Sequence, residues 1–259
     1  MLIAIDFTSE FIFVRADAER SSRMDAIIFD KDGTLLDFDS FWVTVSAYAV
    51  REILTKVQTV SISEEEILSA LGIHDNSADI NGVLCYGTYS QMGREIYRVL
   101  KKYGCGISEG ETVKLTVKAF HSNADKGIVK PTGDNLPDIL RKLKGLGIRL
   151  AVVTTDDPFV TDKCLETLRI NSFFDAVYTD NGNFPPKPDP FCVDDFCDKT
   201  GIGRSEIVMV GDTLTDARFA ENSGIRFIGI SKNENNKKYL ERVTDTVISD
   251  IAQVFEILE

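Results

Sequence analysis

The chain has 259 residues, 43% of them hydrophobic and 27% charged, which is enough apolar material for one large core or two smaller ones. Its formal charge of −12 disfavours a non-specific grip on nucleic acid, whose phosphates would be repelled. No apolar run approaches the roughly 20 residues that a membrane-spanning helix needs, so neither nucleic acid nor membrane is an expected partner.

Residues 1–23 fit no element and stand as an N-terminal extension of unclear structure. The segment begins apolar, but Asp6 and Glu10 interrupt it and no basic stretch precedes it, so it does not read as a secretory signal. From Met24 the pattern becomes legible. Residues 25–29 form a short apolar run that suits a buried parallel strand, and the run ends in Asp30-Lys31-Asp32-Gly33-Thr34. Alternate side chains of extended backbone share a side, so Asp30 and Asp32 reach the same space, and Gly33 lets the chain turn. Two like charges about 4 Å apart repel by roughly 4 kcal/mol at an effective dielectric near 20, so the pair calls for a cation, a proton or a nearby base. The plainer alternative is an ordinary Asp-Gly turn that Asp30 caps.

Residues 40–126 carry no strand pattern. Helical stretches are expected over 41–55, 64–71, 89–103 and 109–123, the second opened by a capping box at Ser63 and Glu66. Phe41 and Trp42 are expected to pack at the base of this insertion. Tyr86, Tyr89, Gln91 and Arg94 gather near a glycine-containing loop, where they read as surface residues of a helix start in preference to ligand contacts. His74 and His121 show no partner pattern that suggests catalysis.

After Gly127 the pattern becomes strand, loop, helix, repeated. Helices are expected at 136–146, 160–168, 191–199, 213–222 and 251–258, and strands at 148–153, 176–178, 207–210, 225–230 and 246–248. Asp157 and Pro158 look like an N-cap and first helical residue. Strands alternating with helices predict an α/β fold with a parallel sheet covered on both faces. The core then comprises 24–39 and 127–259, with an all-helical domain inserted at 40–126. The five cysteines are scattered and odd in number, which suits reduced thiols in a cytoplasm better than a disulfide framework.

Ligands of parallel α/β sheets bind outside the carboxyl ends of the strands. Three of the predicted strands run directly into polar residues there: Asp30, then Thr154-Thr155-Asp156-Asp157, then Gly211-Asp212 with Asp216 four residues on. Between the last two lies Lys187, fixed in the proline-rich loop 185–190. Singly, each has an ordinary reading as a helix cap or solvated loop residue. Together and in this order they are hard to assign to structure alone.

The ordered set Asp30-x-Asp32-Gly33-Thr34, Thr154, Lys187 and Gly211-Asp212-x3-Asp216 closely resembles the four motifs of the haloacid dehalogenase-like hydrolase superfamily, from Met24 to the C-terminus. The resemblance implies a Rossmann-like core whose helical insertion is a cap domain. It also implies a magnesium-dependent phosphatase, similar in layout to phosphoglycolate phosphatase, acting on a small phosphorylated metabolite through an aspartyl-phosphate. In that reading Asp30 is the nucleophile and Asp32 the general acid and base, while Thr154, Thr155 and Lys187 hold the phosphoryl group. Mg²⁺ is held by Asp30, the Asp32 backbone carbonyl and Asp212, with Asp216 supporting that shell or Lys187. Two departures stand out: Thr155 sits where relatives often carry asparagine, and Lys31 where they often carry an apolar residue. Asp32 disfavours an actual dehalogenase. The alternatives are a phosphomutase, a phosphonate hydrolase using a cap lysine such as Lys56 or Lys101, and a non-catalytic binding protein. The oligomeric state is left open between monomer and homodimer.

Overall fold

The computed structural model describes residues 24–57 and 62–258, so the expectation for residues 1–23 lies outside the described residues. The strands in chain order are β1 (Ala26–Phe29), β2 (Ile73–His74), β3 (Ser77–Ala78), β4 (Arg149–Val153), β5 (Ala176–Tyr178), β6 (Ile207–Gly211), β7 (Arg226–Ile230) and β8 (Val247–Ile248). Six of them form one parallel sheet in the order β5-β4-β1-β6-β7-β8. The fold is α/β and Rossmann-like, as the alternation of elements predicts.

Register explains why the polar residues meet. Phe29 at the end of β1 lies opposite Val152 on one side and Val210 on the other. The chain therefore leaves β1, β4 and β6 at one edge, and Asp30 N still donates to Val210 O at 2.9 Å. The strands are apolar on both faces because both faces are covered. Ile27, Phe29, Val152 and Val210 pack with Leu136, Leu140 and Leu143 of the helix Leu136–Gly145. Ala26, Ile28, Ala151 and Met209 face the other way, against Phe196 and Phe219. Each large side chain so buried contributes roughly 1.5–3 kcal/mol of transfer free energy.

The segment after β1 builds a helical layer from Thr44–Val57, Glu64–Ala70, Tyr89–Lys102 and Glu109–Asn123. Its apolar faces share a cluster that includes Phe41, Trp42, Ile53, Ile96 and Phe120, together with Val160 and Cys164 from the helix Pro158–Thr167. Among the described residues no helix is long and apolar enough to cross a membrane, and all five cysteines are free.

Several local expectations are corrected. The insertion is not wholly helical, because β2 and β3 pair as an antiparallel hairpin across Asp75 and Asn76, both with positive φ. Those are residue types that tolerate the left-handed region a tight hairpin turn needs. Ser63 accepts from Glu66 N at 3.2 Å, but the reciprocal half of the capping box is missing, since the Glu66 carboxylate instead receives the Tyr103 hydroxyl. Thr88 with Gln91 and Ser108 with Glu111 form complete boxes. Two unpredicted helices are Val83–Tyr86 and Glu234–Leu240.

Candidate active site

A cavity of about 490 Å³ opens at the carboxyl edge of the sheet, beneath the helical layer. Asp30, Asp32, Thr154, Thr155, Lys187 and Asp212 all line it, whereas Asp216 lies beneath Lys187, outside the wall. Most of these residues leave the ends of β1, β4 and β6, so the sheet itself sets their spacing.

Asp30 and Lys187 form the centre. Lys187 Nζ donates to Asp30 Oδ1 at 2.5 Å and to Asp216 Oδ1 at 2.7 Å, with all three residues buried. The Asp216 carboxylate is fixed by its own helix start, where Thr213 N and Oγ1 donate to its Oδ2 at 3.0 and 2.7 Å. Its role here is structural as well as electrostatic, because it completes the capping box of the helix Leu214–Ser223. Carboxylate oxygens of Asp30, Asp212 and Asp216 lie within 4.8 Å of one another.

Three carboxylates gather near one lysine, which pairs with two of them, and the electrostatics reflect that shortage. Burial pushes Asp30 up to about 7; Lys187 opposes the rise, while the charges of Asp216 and Asp32 add to it. Burial, followed by the charges of Asp30 and Asp216, also lifts Asp212 well above the usual carboxylate range. For Lys187, burial works against the ammonium, but Asp216 and Asp30 outweigh it and raise the group above its ordinary value. The oxygen donors and unbalanced negative charge fit a small hard divalent cation.

Backbone geometry makes room for this cluster. Gly33 has a φ of +83°, and a Cβ there would lie 2.1 Å from Asp212 Oδ2. Gly211 is constrained by approach alone, since a Cβ on it would meet Asp216 at 2.5 Å. Glycine is required at both places by close approach, not by looseness.

Asp32 belongs to a second, separate group. Lys31 is fully buried, and its Nζ lies 2.8 and 2.7 Å from the two Asp32 oxygens and 3.0 Å from Asp156 Oδ2. Trp42 Nε1 also donates to Asp32 Oδ1 at 2.7 Å. Burying an ammonium costs several kcal/mol unless it is paired, and here two carboxylates pair it. Asp156 is pushed up to about 6 by burial, with the Lys31 charge opposing. Trp42 thus packs edge-on against Phe41, as expected at the base of the insertion, but it also reaches the site.

The helical layer touches the loop after β4 as well. Tyr89 Oη lies 3.3 Å from Asp156 Oδ1 and 3.2 Å from Asp157 Oδ2, and His121 Nε2 lies 2.9 Å from Asp157 Oδ2. Asp157 still caps its helix through Val160 N at 3.1 Å. Of the four polar insertion residues singled out above, Tyr86 and Tyr89 line the cavity. Gln91 instead closes a capping box, and Arg94 pairs with Glu109. Lys31, Trp42, Asp156 and His121 are absent from the sequence-predicted site. Neither Lys56 nor Lys101 lines the cavity, and both are exposed.

The chain is 28% identical over 213 residues to the pyrophosphatase PpaX of Bacillus velezensis, covering 81% of this chain and 84% of the relative. It is 25% identical to the phosphoglycolate phosphatase of Mannheimia succiniciproducens, covering 92% of this chain and 100% of that protein. The crystal structure of "a predicted phosphoglycolate phosphatase" from Haemophilus somnus superposes with a TM-score of 0.68 at 22% identity, over 91% of this chain and 98% of that one. The model of the hydrolase family described as haloacid dehalogenase-like hydrolase matches residues 24–224. A parallel sheet whose β1, β4 and β6 ends gather Asp30, Thr154 and Asp212 is thus accompanied by a match over most of the sequence, and the chain belongs to the haloacid dehalogenase-like hydrolase family.

Proposed function

We propose that the protein is a magnesium-dependent phosphatase that hydrolyses a small phosphorylated metabolite through an aspartyl-phosphate on Asp30. The observation that carries this reading is the meeting of buried Asp30, Asp216 and Lys187 with half-buried Asp212 in one cluster beside Thr154. An Asp30 carboxylate oxygen attacks phosphorus, and the bond from phosphorus to the leaving oxygen breaks with its electron pair. Asp32 gives that oxygen a proton. Water then attacks the same phosphorus, Asp32 takes its proton, and the bond to Asp30 breaks to restore the carboxylate. Lys187 and Thr154 hold the phosphoryl oxygens throughout.

Asp30, Asp212 and the Asp32 carbonyl would hold the magnesium ion, with Asp216 steadying Lys187. Bound there, the ion supplies positive charge that offsets the carboxylates and polarises the phosphoryl group. We assign 24–39 and 127–259 to the core and 40–126 to a cap that limits water at the phosphoenzyme. At the cap side the cavity wall offers Asp79 and Asn81 to the leaving group, beside Asp39, which accepts from Ser77 Oγ and Ala78 N.

Release of phosphate from p-nitrophenyl phosphate tests the reading. Chelation should stop turnover and added Mg²⁺ restore it, and Asp212→Asn should raise the Mg²⁺ concentration required by about tenfold or more. Turnover indifferent to chelation would overturn the metal assignment. A second expectation concerns Gly33→Ala, which forces a left-handed backbone on alanine and pushes Asp212 aside. That variant should unfold about 1–3 kcal/mol more easily, and misplacement on the order of 1 Å should lower kcat/KM by about 100-fold. Chemical denaturation and the same phosphate assay measure the two effects.

A further inference from the structure

The proposed reaction makes no use of Lys31, a fully buried cation set between its two principal carboxylates in sequence. Resting on the phosphatase reading, we propose that Lys31 is a positioning residue that fixes the Asp32 carboxylate for proton transfer to the leaving oxygen.

Lys31 lies in the bend that follows β1, where its side chain is fully buried. It lies behind the cavity wall while Asp32 lies in it, so Lys31 acts on substrate only through Asp32. Its Nζ contacts both Asp32 oxygens, at 2.8 and 2.7 Å. From the opposite side Asp156 holds the same nitrogen at 3.0 Å, and the rings of Phe41 and Trp42 lie 5.7 Å from it. The ammonium is therefore gripped by the loop after β4 and by the start of the helical layer, and it passes that constraint to one carboxylate. Trp42 Nε1, at 2.7 Å from Asp32 Oδ1, adds a second donor. Proton transfer needs heavy atoms within about 2.6–3.2 Å, so the angle at which Asp32 is held decides whether it meets the leaving oxygen. An apolar residue at position 31 would leave Trp42 as the remaining donor of this group. Lys187 already serves Asp30, so each of the two carboxylates has its own lysine.

Leaving-group dependence separates positioning from mere support. Removing Lys31 alone would strand Asp156 without its cation, so Lys31→Met is combined with Asp156→Asn and compared with Asp156→Asn alone. The probes are glycerol 3-phosphate, whose alkoxide needs a proton to depart, and p-nitrophenyl phosphate, whose phenolate does not. kcat/KM reports the steps up to that departure. The expected result is a loss of about 100-fold for glycerol 3-phosphate and less than about threefold for p-nitrophenyl phosphate. An equal loss on both esters, or none on either, overturns the proposal. The ratio of the two values is independent of the fraction of folded enzyme. Should the double variant not fold, Trp42→Phe removes the second donor without changing charge and should shift the ratio the same way by about fivefold; an unchanged ratio there also overturns it. Failure of the unsubstituted protein to hydrolyse either ester is a different result, which removes the phosphatase reading and this inference with it.

Discussion

Asp30→Asn should reduce phosphate release by on the order of 10⁴-fold or more while leaving the protein folded. The amide oxygen can still accept from Lys187, but it is no longer a competent nucleophile, so no phosphoenzyme forms. Stability should move in the opposite direction to activity. Burial lifts the Asp30 carboxyl from an ordinary 3.8 to about 7. A carboxyl raised in the folded state contributes stability at low pH that is lost as pH climbs through that window, because the unfolded chain gives up its proton first. Without added metal, the unsubstituted protein should therefore lose stability between about pH 4 and 7, and the asparagine variant should lose less. Denaturant melts across that range, paired with a phosphate assay, measure both effects. A variant that retains turnover would exclude Asp30 as the nucleophile.

Lys187→Met should be the most damaging single change to fold and activity together. Lys187 is 8% exposed and neutralises two buried carboxylates. Breaking a buried ion pair from one side leaves uncompensated charge and costs about 3–5 kcal/mol. For a chain of this size that corresponds to a fall in melting temperature of roughly 6–20 °C. Activity should fall by about 10³-fold as well, since the charge on the transferring phosphoryl group loses its fixed partner. Added Mg²⁺ should recover part of the melting temperature, because it relieves the repulsion between Asp30 and Asp216, and little of the turnover. Calorimetry with and without Mg²⁺ separates the two losses; an unchanged melting temperature would mean that the two carboxylates do not depend on this lysine.

Much of the arrangement can be read directly from the chain because it is coded locally. Asp30, Thr154 and Asp212 each follow an apolar run long enough to be a buried strand, and parallel topology brings such strand ends together. Lys187 is legible through the prolines around it. The undetected residues are coded by tertiary contact instead. Tyr89 meets Asp156 across 67 positions, and no spacing rule links them. Trp42 falls on the apolar face of its segment and is rightly a packing residue, so its indole N–H is invisible to any hydrophobic pattern. Lys31 registers only as an unusual residue type, since its two partners are fixed by the turn after β1 and the loop after β4. The helix Glu234–Leu240 eluded prediction because Leu240 is its sole buried residue, so no apolar stripe marks it. The strands β2 and β3 are two residues each, too short for alternation to register.

Asp157 ties these levels together. One side chain starts a helix through Val160 N and also receives Tyr89 and His121 from the helical layer. A shift of these two side chains away from the loop would break both contacts to Asp157 together, and with them the contact of Tyr89 with Asp156. The helical layer and the loop that carries Thr154 are thus joined through two adjoining carboxylates, Asp156 and Asp157.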